Sequence, residues 1–320
     1  MNVLRKIWRF LVGVKDALAL ILLLVFFAGV WSLLRGGPPA TVPTDAALVL
    51  ALDGQIVDQA NERPLLAAIA GDTARQIEVR NVLMALDRAK TDMRIKAVVL
   101  ELDAFTGGGQ ANLQAIGRAL TAVRATGKPV LAYSTAYTDD SYYLAAHASQ
   151  IWLNPLGGVL LTGPGGTNLY FKKALDKLDV DVNVFRVGTY KSAVEPFTRS
   201  DASPESKAAS QALVDTLWAS YRADVSKVRP KVDLPALLAD LPARVKAAGG
   251  SLSQTARTAG LIDRLGSPED FYGTLRQQYG EGEGDSIASF NGITLSRYLS
   301  ATADQNKKSG DAIGIVYVAG

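Results

Sequence analysis

The 320-residue chain carries 34 basic and 31 acidic side chains, and its net charge of +3 is too small to argue for a nucleic-acid partner. It contains no cysteine, which excludes thiolate catalysis, disulfides and cysteine-ligated zinc. His147 is its single histidine, so a multi-histidine metal site is impossible and any Ser-His-Asp triad would have to use that residue.

Residues 1–16 include Arg5, Lys6, Arg9 and Lys15, and residues 17–34 form an uncharged apolar run. A membrane-spanning helix needs about 17 to 25 such residues. The basic flank comes first and only Arg35 follows closely, which puts the N-terminus in the cytoplasm. Trp31 suits the far interface. A cleaved signal peptide has an apolar core of about 7 to 15 residues and an A-x-A-like site. Ser32-Leu33-Leu34-Arg35 offers no such site, so the expectation is an uncleaved anchor. The rest of the chain would then face the periplasm of a Gram-negative bacterium. The Gly- and Pro-rich residues 35–44 read as a linker.

Beyond the linker, strands are expected at 46–52, 95–102, 129–133, 150–153 and 182–187. Helices are expected at 76–90, where Val79, Val82, Leu83 and Leu86 form a stripe, and after Gly107-Gly108-Gly109, where Leu113, Ile116, Leu120 and Val123 share a face up to a Gly127 cap. Further helices are expected at 141–148, 168–178, 234–248 and 268–279. Ser203-Pro204-Glu205 is a helix start, with an N-cap, a proline in the first turn and an acid near the positive end of the dipole; that helix should run to about Val228. Strands alternating with helices imply a mostly parallel sheet covered by helices. The pattern alone does not separate a doubly wound sheet from a superhelix of β-β-α units.

The strand ending at Val187 breaks at Gly188, and Lys191 follows at once among small and apolar residues. A lysine tucked in there would lose solvation, which favours the neutral amine, and a neutral amine can take a proton from a serine hydroxyl. On spacing alone a surface lysine after a turn is the commoner explanation. However, Val187-Gly188-Thr189-Tyr190-Lys191-Ser192-Ala193-Val194-Glu195-Pro196-Phe197 closely resembles the segment bearing the catalytic lysine in the signal peptide peptidase SppA (protease IV) family, peptidase family S49, in its long, membrane-anchored, two-repeat form. The resemblance extends through Gly107-Gly108-Gly109, Gly127-Lys128-Pro129-Val130, Tyr142-Tyr143-Leu144-Ala145, Ile151-Trp152-Leu153-Asn154-Pro155, Asn168-Leu169-Tyr170-Phe171-Lys172 and Gly260-Leu261-Ile262-Asp263.

The resemblance implies a ClpP/crotonase-like α/β superhelix of β-β-α units behind one transmembrane helix. It also implies a Ser/Lys-dyad serine endopeptidase of the bacterial inner membrane that degrades cleaved, apolar signal peptides. Lys191 would be the general base; neither metal nor organic cofactor is implied, and the partners would be the membrane, peptides and further copies of the chain, as a tetramer. In the long form the nucleophile comes from the second repeat. Asp311 to Gly320 repeats the pattern of Asp45 to Gly54, an aspartate and alanine before an apolar strand ending in glycine. We therefore expect residues 45–305 to be a first repeat, 306–320 the first strand of a second, and the serine to lie beyond residue 320, so that residues 1–320 alone would be inactive.

Other candidates have simpler explanations. Ser141 is followed by tyrosines where the family nucleophile has glycine, and suits a helix N-cap. Ser192, adjacent to the lysine on an extended segment, would point to the opposite side. His147 is expected to be packed or on the surface. Gly107-Gly108-Gly109 lacks the Lys-Ser/Thr of a phosphate loop and is expected to be a tight turn. Asp139-Asp140 should be exposed carboxylates that start a helix. Val159-Leu160-Leu161 and Tyr170-Phe171 are expected in the core rather than along a peptide groove. The rival from another class is a catalytically silent, membrane-tethered module of the same fold that binds peptides or partners. Acyl-CoA chemistry is a weaker third reading, since fold alone does not imply function.

Overall fold

A computed structural model describes residues 2–34, 41–61, 75–282 and 288–303. Two compact units divide it, 42–299 and a second built from 1–41 with 300–320. In the second unit, α1 (Asn2–Leu34) is one continuous helix. Its segment Ile7–Trp31 is long and apolar enough to cross a membrane, by length and composition. It reaches further toward the N-terminus than the uncharged run and takes in Arg9, Lys15 and Asp16, the last two paired at 3.1 Å. Most of the expected linker (35–40) and the expected repeat-two strand (306–320) lie outside the described residues.

The larger unit begins with β1 (Ala46–Ala51), β2 (Gly54–Val57) and β3 (Gln76–Glu78), then α2 (Val79–Thr91). There follow β4 (Ile95–Glu101), β5 (Phe105–Gly107), α3 (Gln110–Ala125), β6 (Val130–Ser134), α4 (Asp139–Ala146) and β7 (Gln150–Leu153). The remainder holds α5 (Lys172–Lys177), α6 (Glu195–Thr198), α7 (Pro204–Val228), α8 (Leu234–Ala239), α9 (Leu241–Ala247), α10 (Leu252–Thr258), β8 (Arg264–Leu265), α11 (Pro268–Tyr279), β9 (Gly292–Thr294) and α12 (Leu295–Ala301). Every pairing in the six-stranded sheet, ordered β8-β7-β6-β4-β1-β9, is parallel, and so is every pairing in the small sheet β3-β2-β5.

The chain alternates between the two sheets. β1 enters the large sheet and β2 the small one; β4 and β5 do the same before α3. After β6, Tyr137 makes a parallel bridge to Val159 before and after α4 and β7. This is the superhelix of β-β-α units that the family resemblance implies. β1, β4 and β6 are buried almost along their whole lengths, as expected of parallel strands covered on both faces. Ala47, Val49, Ala97, Val99, Leu131, Tyr133 and Trp152 pack against Phe271 and Leu275 of α11 and against Phe290. Tyr133 stacks on Phe271 with ring centroids 5.0 Å apart. Alternate residues point to opposite faces of a strand, so Leu48, Leu50, Val98 and Leu100 face the layer that includes α2 and α3.

Several expectations need correction. Residues 76–78 join the small sheet instead of opening α2. The helix expected at 234–248 is broken into α8 and α9, because Pro242 lacks the N–H needed to continue it and its ring crowds the preceding turn. Of the helix expected at 168–178 only Lys172–Lys177 forms, and it buries no side chain. Residues 182–187 form no strand. By contrast α7 begins as expected: the Ser203 hydroxyl accepts the Ser206 N–H at 3.1 Å, Pro204 follows, and the helix ends at Val228.

Candidate functional site

In a parallel sheet the chain leaves each strand at the same end, and the loops that cluster there are where sites are built. Asp103 follows β4, and its Oδ1 accepts the Ser134 hydroxyl at 3.0 Å and the Thr135 N–H, tying the exits of β4 and β6. The three glycines end β5. The Gly108 N–H donates to Asp140 Oδ2 at 3.1 Å. Asp139 accepts the Thr162 N–H and hydroxyl and the Gly163 N–H, at 3.1, 2.8 and 3.2 Å. The paired carboxylates are therefore half-buried latches, one on the glycine turn and one on the segment after β7, rather than exposed charges. Burial raises the Asp140 carboxyl above its usual range, against the lowering effect of the Gly108 N–H, and Asp139 raises it further.

Ser141 is buried, and it is not the N-cap. Thr138 holds that position and Ser141 is its capping-box partner, accepting the Thr138 N–H at 2.8 Å. Its hydroxyl is thus engaged in starting α4. His147 is packed, with Nδ1 2.9 Å from the Thr121 hydroxyl and Nε2 buried with no hydrogen-bond partner among the described residues. Its pKa is pushed down to about 4, chiefly by burial and further by Arg124, with Asp224 opposing. Among the described residues no group of three or more His, Asp or Glu side chains is placed to hold a metal ion.

The lysine segment differs most from expectation. Gly188 takes φ 108°, a conformation open to glycine, and residues 188–192 turn, with the Ser192 N–H donating to the Tyr190 carbonyl at 3.0 Å. Lys191 is exposed instead of tucked in, and its Nζ makes no hydrogen bond or ion pair among the described residues. The argument that Ser192 points away along an extended segment also lapses, because the backbone turns there. Phe185, Val187 and Tyr190 are 99, 91 and 68 % exposed. Nor do the apolar residues upstream enter the core: Leu160 and Phe171 are exposed, while Val159 and Leu161 are half-buried and line an apolar cavity with Leu237, Leu241 and Leu252.

Two side chains not singled out in the sequence fix the turn. The Arg186 guanidinium donates to the Lys191 carbonyl at 2.8 Å and lies 4.0 Å from Glu195 Oε1. Glu195 is buried, and its other oxygen accepts the Ser203 N–H at 2.9 Å. Hydrogen bonds from Ser203 hold the Glu195 carboxyl below its usual range, with Arg199 and Arg186 adding to the effect. A glutamate between alanine, valine and proline was the available signal, since an acid in apolar company is usually held by a partner.

Residues 122–280 match the family model described as Peptidase family S49. The chain is 33 % identical to a protein named Protease 4 from Salmonella typhi, over 99 % of this chain and 54 % of that one. It is 36 % identical to a protein of the same name from Haemophilus influenzae, over 95 % of this chain and 51 % of that one. The chain thus spans about half the length of the curated relatives it matches. Among solved structures it is similar to the S97A mutant of a membrane-bound stomatin-specific protease, with 12 % identity, coverage of 79 % of this chain and 98 % of that one, and a TM-score of 0.34.

Proposed function

The chain carries a domain of peptidase family S49 over residues 122–280, and from that premise we propose that it is the base-bearing half of a membrane-anchored serine endopeptidase. Lys191 is the general base of a Ser/Lys dyad, and the nucleophilic serine is supplied from outside residues 1–320. The observation that carries this reading is that Lys191 lies inside the matched region 122–280, on the segment that resembles the family's lysine-bearing one. Lys191 stands on an exposed turn with its amine uncommitted among the described residues, while Ser141 and the Gly108 N–H, the candidates after β6 and β5, are both engaged. Ser141 is held in the cap of α4 and the Gly108 N–H is taken by Asp140. An attacking serine needs a base within hydrogen-bond reach and free N–H groups for the oxyanion, and neither Ser141 nor the Gly108 N–H is available for those parts.

The substrates are cleaved signal peptides and other apolar peptides. Phe185, Val187 and Tyr190 beside the lysine support an apolar substrate class. Residues 45–305 act as one repeat. The anchor places the N-terminus in the cytoplasm and the domain in the periplasm at the inner membrane, supported by the basic residues before the apolar helix. The assembly is a homotetramer, a reading that rests on the resemblance. The silent peptide-binding module is the second reading, and one observation favours it: a carboxylate already fills the Gly108 N–H position.

A serine-directed phosphonate probe tests the division of labour in the protein extracted intact from membranes. The expected result is one labelled serine outside residues 1–320, with labelling lost in Lys191→Met. Labelling at Ser141 or Ser192 would contradict it, and absence of labelling would favour the silent module.

A further inference from the structure

We propose that Arg186 and Glu195 are positioning residues for Lys191, forming a clasp that sets the turn from which the amine is presented. The inference rests on the reading of Lys191 as the base. It starts from an unusual placement: Glu195 is 2 % exposed, on a four-residue helix at the surface of the domain, and Oε1 has no hydrogen-bond partner among the described residues. A buried carboxylate oxygen left without a partner is costly unless a charge compensates it. The Arg186 guanidinium, 4.0 Å away, is the charge that does so.

The geometry couples three segments. Glu195 Oε2 is tied to the Ser203 N–H, at the cap of the 25-residue helix α7. Oε1 faces Arg186. Arg186 in turn holds the Lys191 carbonyl at 2.8 Å, across five residues of chain. Otherwise the turn is held by its own backbone: Lys191 N–H donates to the Gly188 carbonyl at a long 3.4 Å, Ser192 N–H to the Tyr190 carbonyl at 3.0 Å and Glu195 N–H to the Ser192 carbonyl at 3.0 Å, while the flanking Phe185, Val187 and Tyr190 side chains are exposed. Without the clasp, the lysine would ride on a turn held only by its own local backbone bonds. With it, the Lys191 backbone is referenced to α7. Both contacts run through one nitrogen, Nη1, which donates to the Lys191 carbonyl and lies 4.0 Å from the carboxylate.

A base must sit within hydrogen-bond reach of the proton it accepts, and a displacement of about 1 Å can cost on the order of 100-fold in rate. In the protein extracted intact from membranes, Arg186→Gln should therefore lower kcat for an apolar peptide by about 10- to 100-fold. KM should change little, and the thermal midpoint should fall modestly, because the buried Glu195 carboxylate loses its compensating charge. Arg186→Lys should recover part of the loss. Glu195→Gln should follow Arg186→Gln, although it also disturbs the cap of α7, so Arg186→Gln is the cleaner variant. Lys191→Met separates the two claims. If Lys191→Met is inactive while Arg186→Gln keeps the wild-type kcat, the clasp is overturned and the base stands. If Lys191→Met is fully active, the base reading itself is overturned, and the clasp as a positioning device with it. A second readout needs no peptidase activity: tryptic cleavage after Lys191 in the folded protein should speed up several-fold in Arg186→Gln. An unchanged cleavage rate would overturn the clasp.

Discussion

His147 is held neutral by its surroundings, and that has a consequence for stability. Free histidine titrates near 6.5, whereas this one is pushed down to about 4, mainly by burial between α3 and α4. The unfolded chain therefore binds a proton at pH values where the folded chain does not. The sign follows: stability is full above about pH 6.5, falls as pH drops through the window from about 6.5 to 4, and levels below it. The shift corresponds to about 3 kcal/mol. His147→Gln should flatten the pH dependence of the urea midpoint between about pH 7 and 4, at some cost at neutral pH because the Thr121 contact is altered. A wild-type midpoint that does not change across this window would contradict the assignment. The same residue shows what single positions reveal: its lack of a serine or carboxylate motif was legible as packing, but the clasp of Arg186 and Glu195 on Lys191 was not, because it depends on how a turn folds back rather than on spacing.

Elements with a strong pattern in their own residues were legible; segments whose outcome turns on a free sheet edge or a layer to cover were not. α7 is announced by Ser203-Pro204-Glu205, and the cap forms with those residues. β1, β4 and β6 are apolar runs of the length a covered parallel strand needs, and they pair as expected. The run Val182-Asn183-Val184-Phe185-Arg186-Val187 has the same β-branched character yet forms no strand. β-propensity measures the fit to a pleated, half-buried surface, and no sheet edge among the described residues receives this segment. α5 fails to extend for the same reason: its apolar side chains have no layer to cover. Where the chain leaves β7, by contrast, space is set tightly. A Cβ on Gly157 would lie 1.6 Å from the Thr135 carbonyl oxygen, because the turn after Asn154 crosses directly over the exit of β6. Backbone cannot yield as a flexible side chain can, so Gly157→Ala should lower stability by about 3 kcal/mol or more. An unchanged thermal midpoint would mean that this crossing is looser than described.

At the scale of the whole molecule, one β-β-α superhelix presents Lys191 on an apolar, exposed segment and keeps the Ser141 hydroxyl and the Gly108 N–H engaged. Leu169, Leu178, Phe185, Val187 and Tyr190 are all exposed. The chain spans about half the length of the curated relatives it matches. The measurement that bears most directly on this account is hydrolysis of an apolar, signal-sequence-like peptide by the protein extracted intact from membranes, compared between wild type and Lys191→Met. Losing a general base removes about 10²- to 10⁴-fold in rate. The account predicts a loss of that size with the fold and the membrane anchorage unchanged. Wild-type turnover by a well-folded Lys191→Met protein would contradict it.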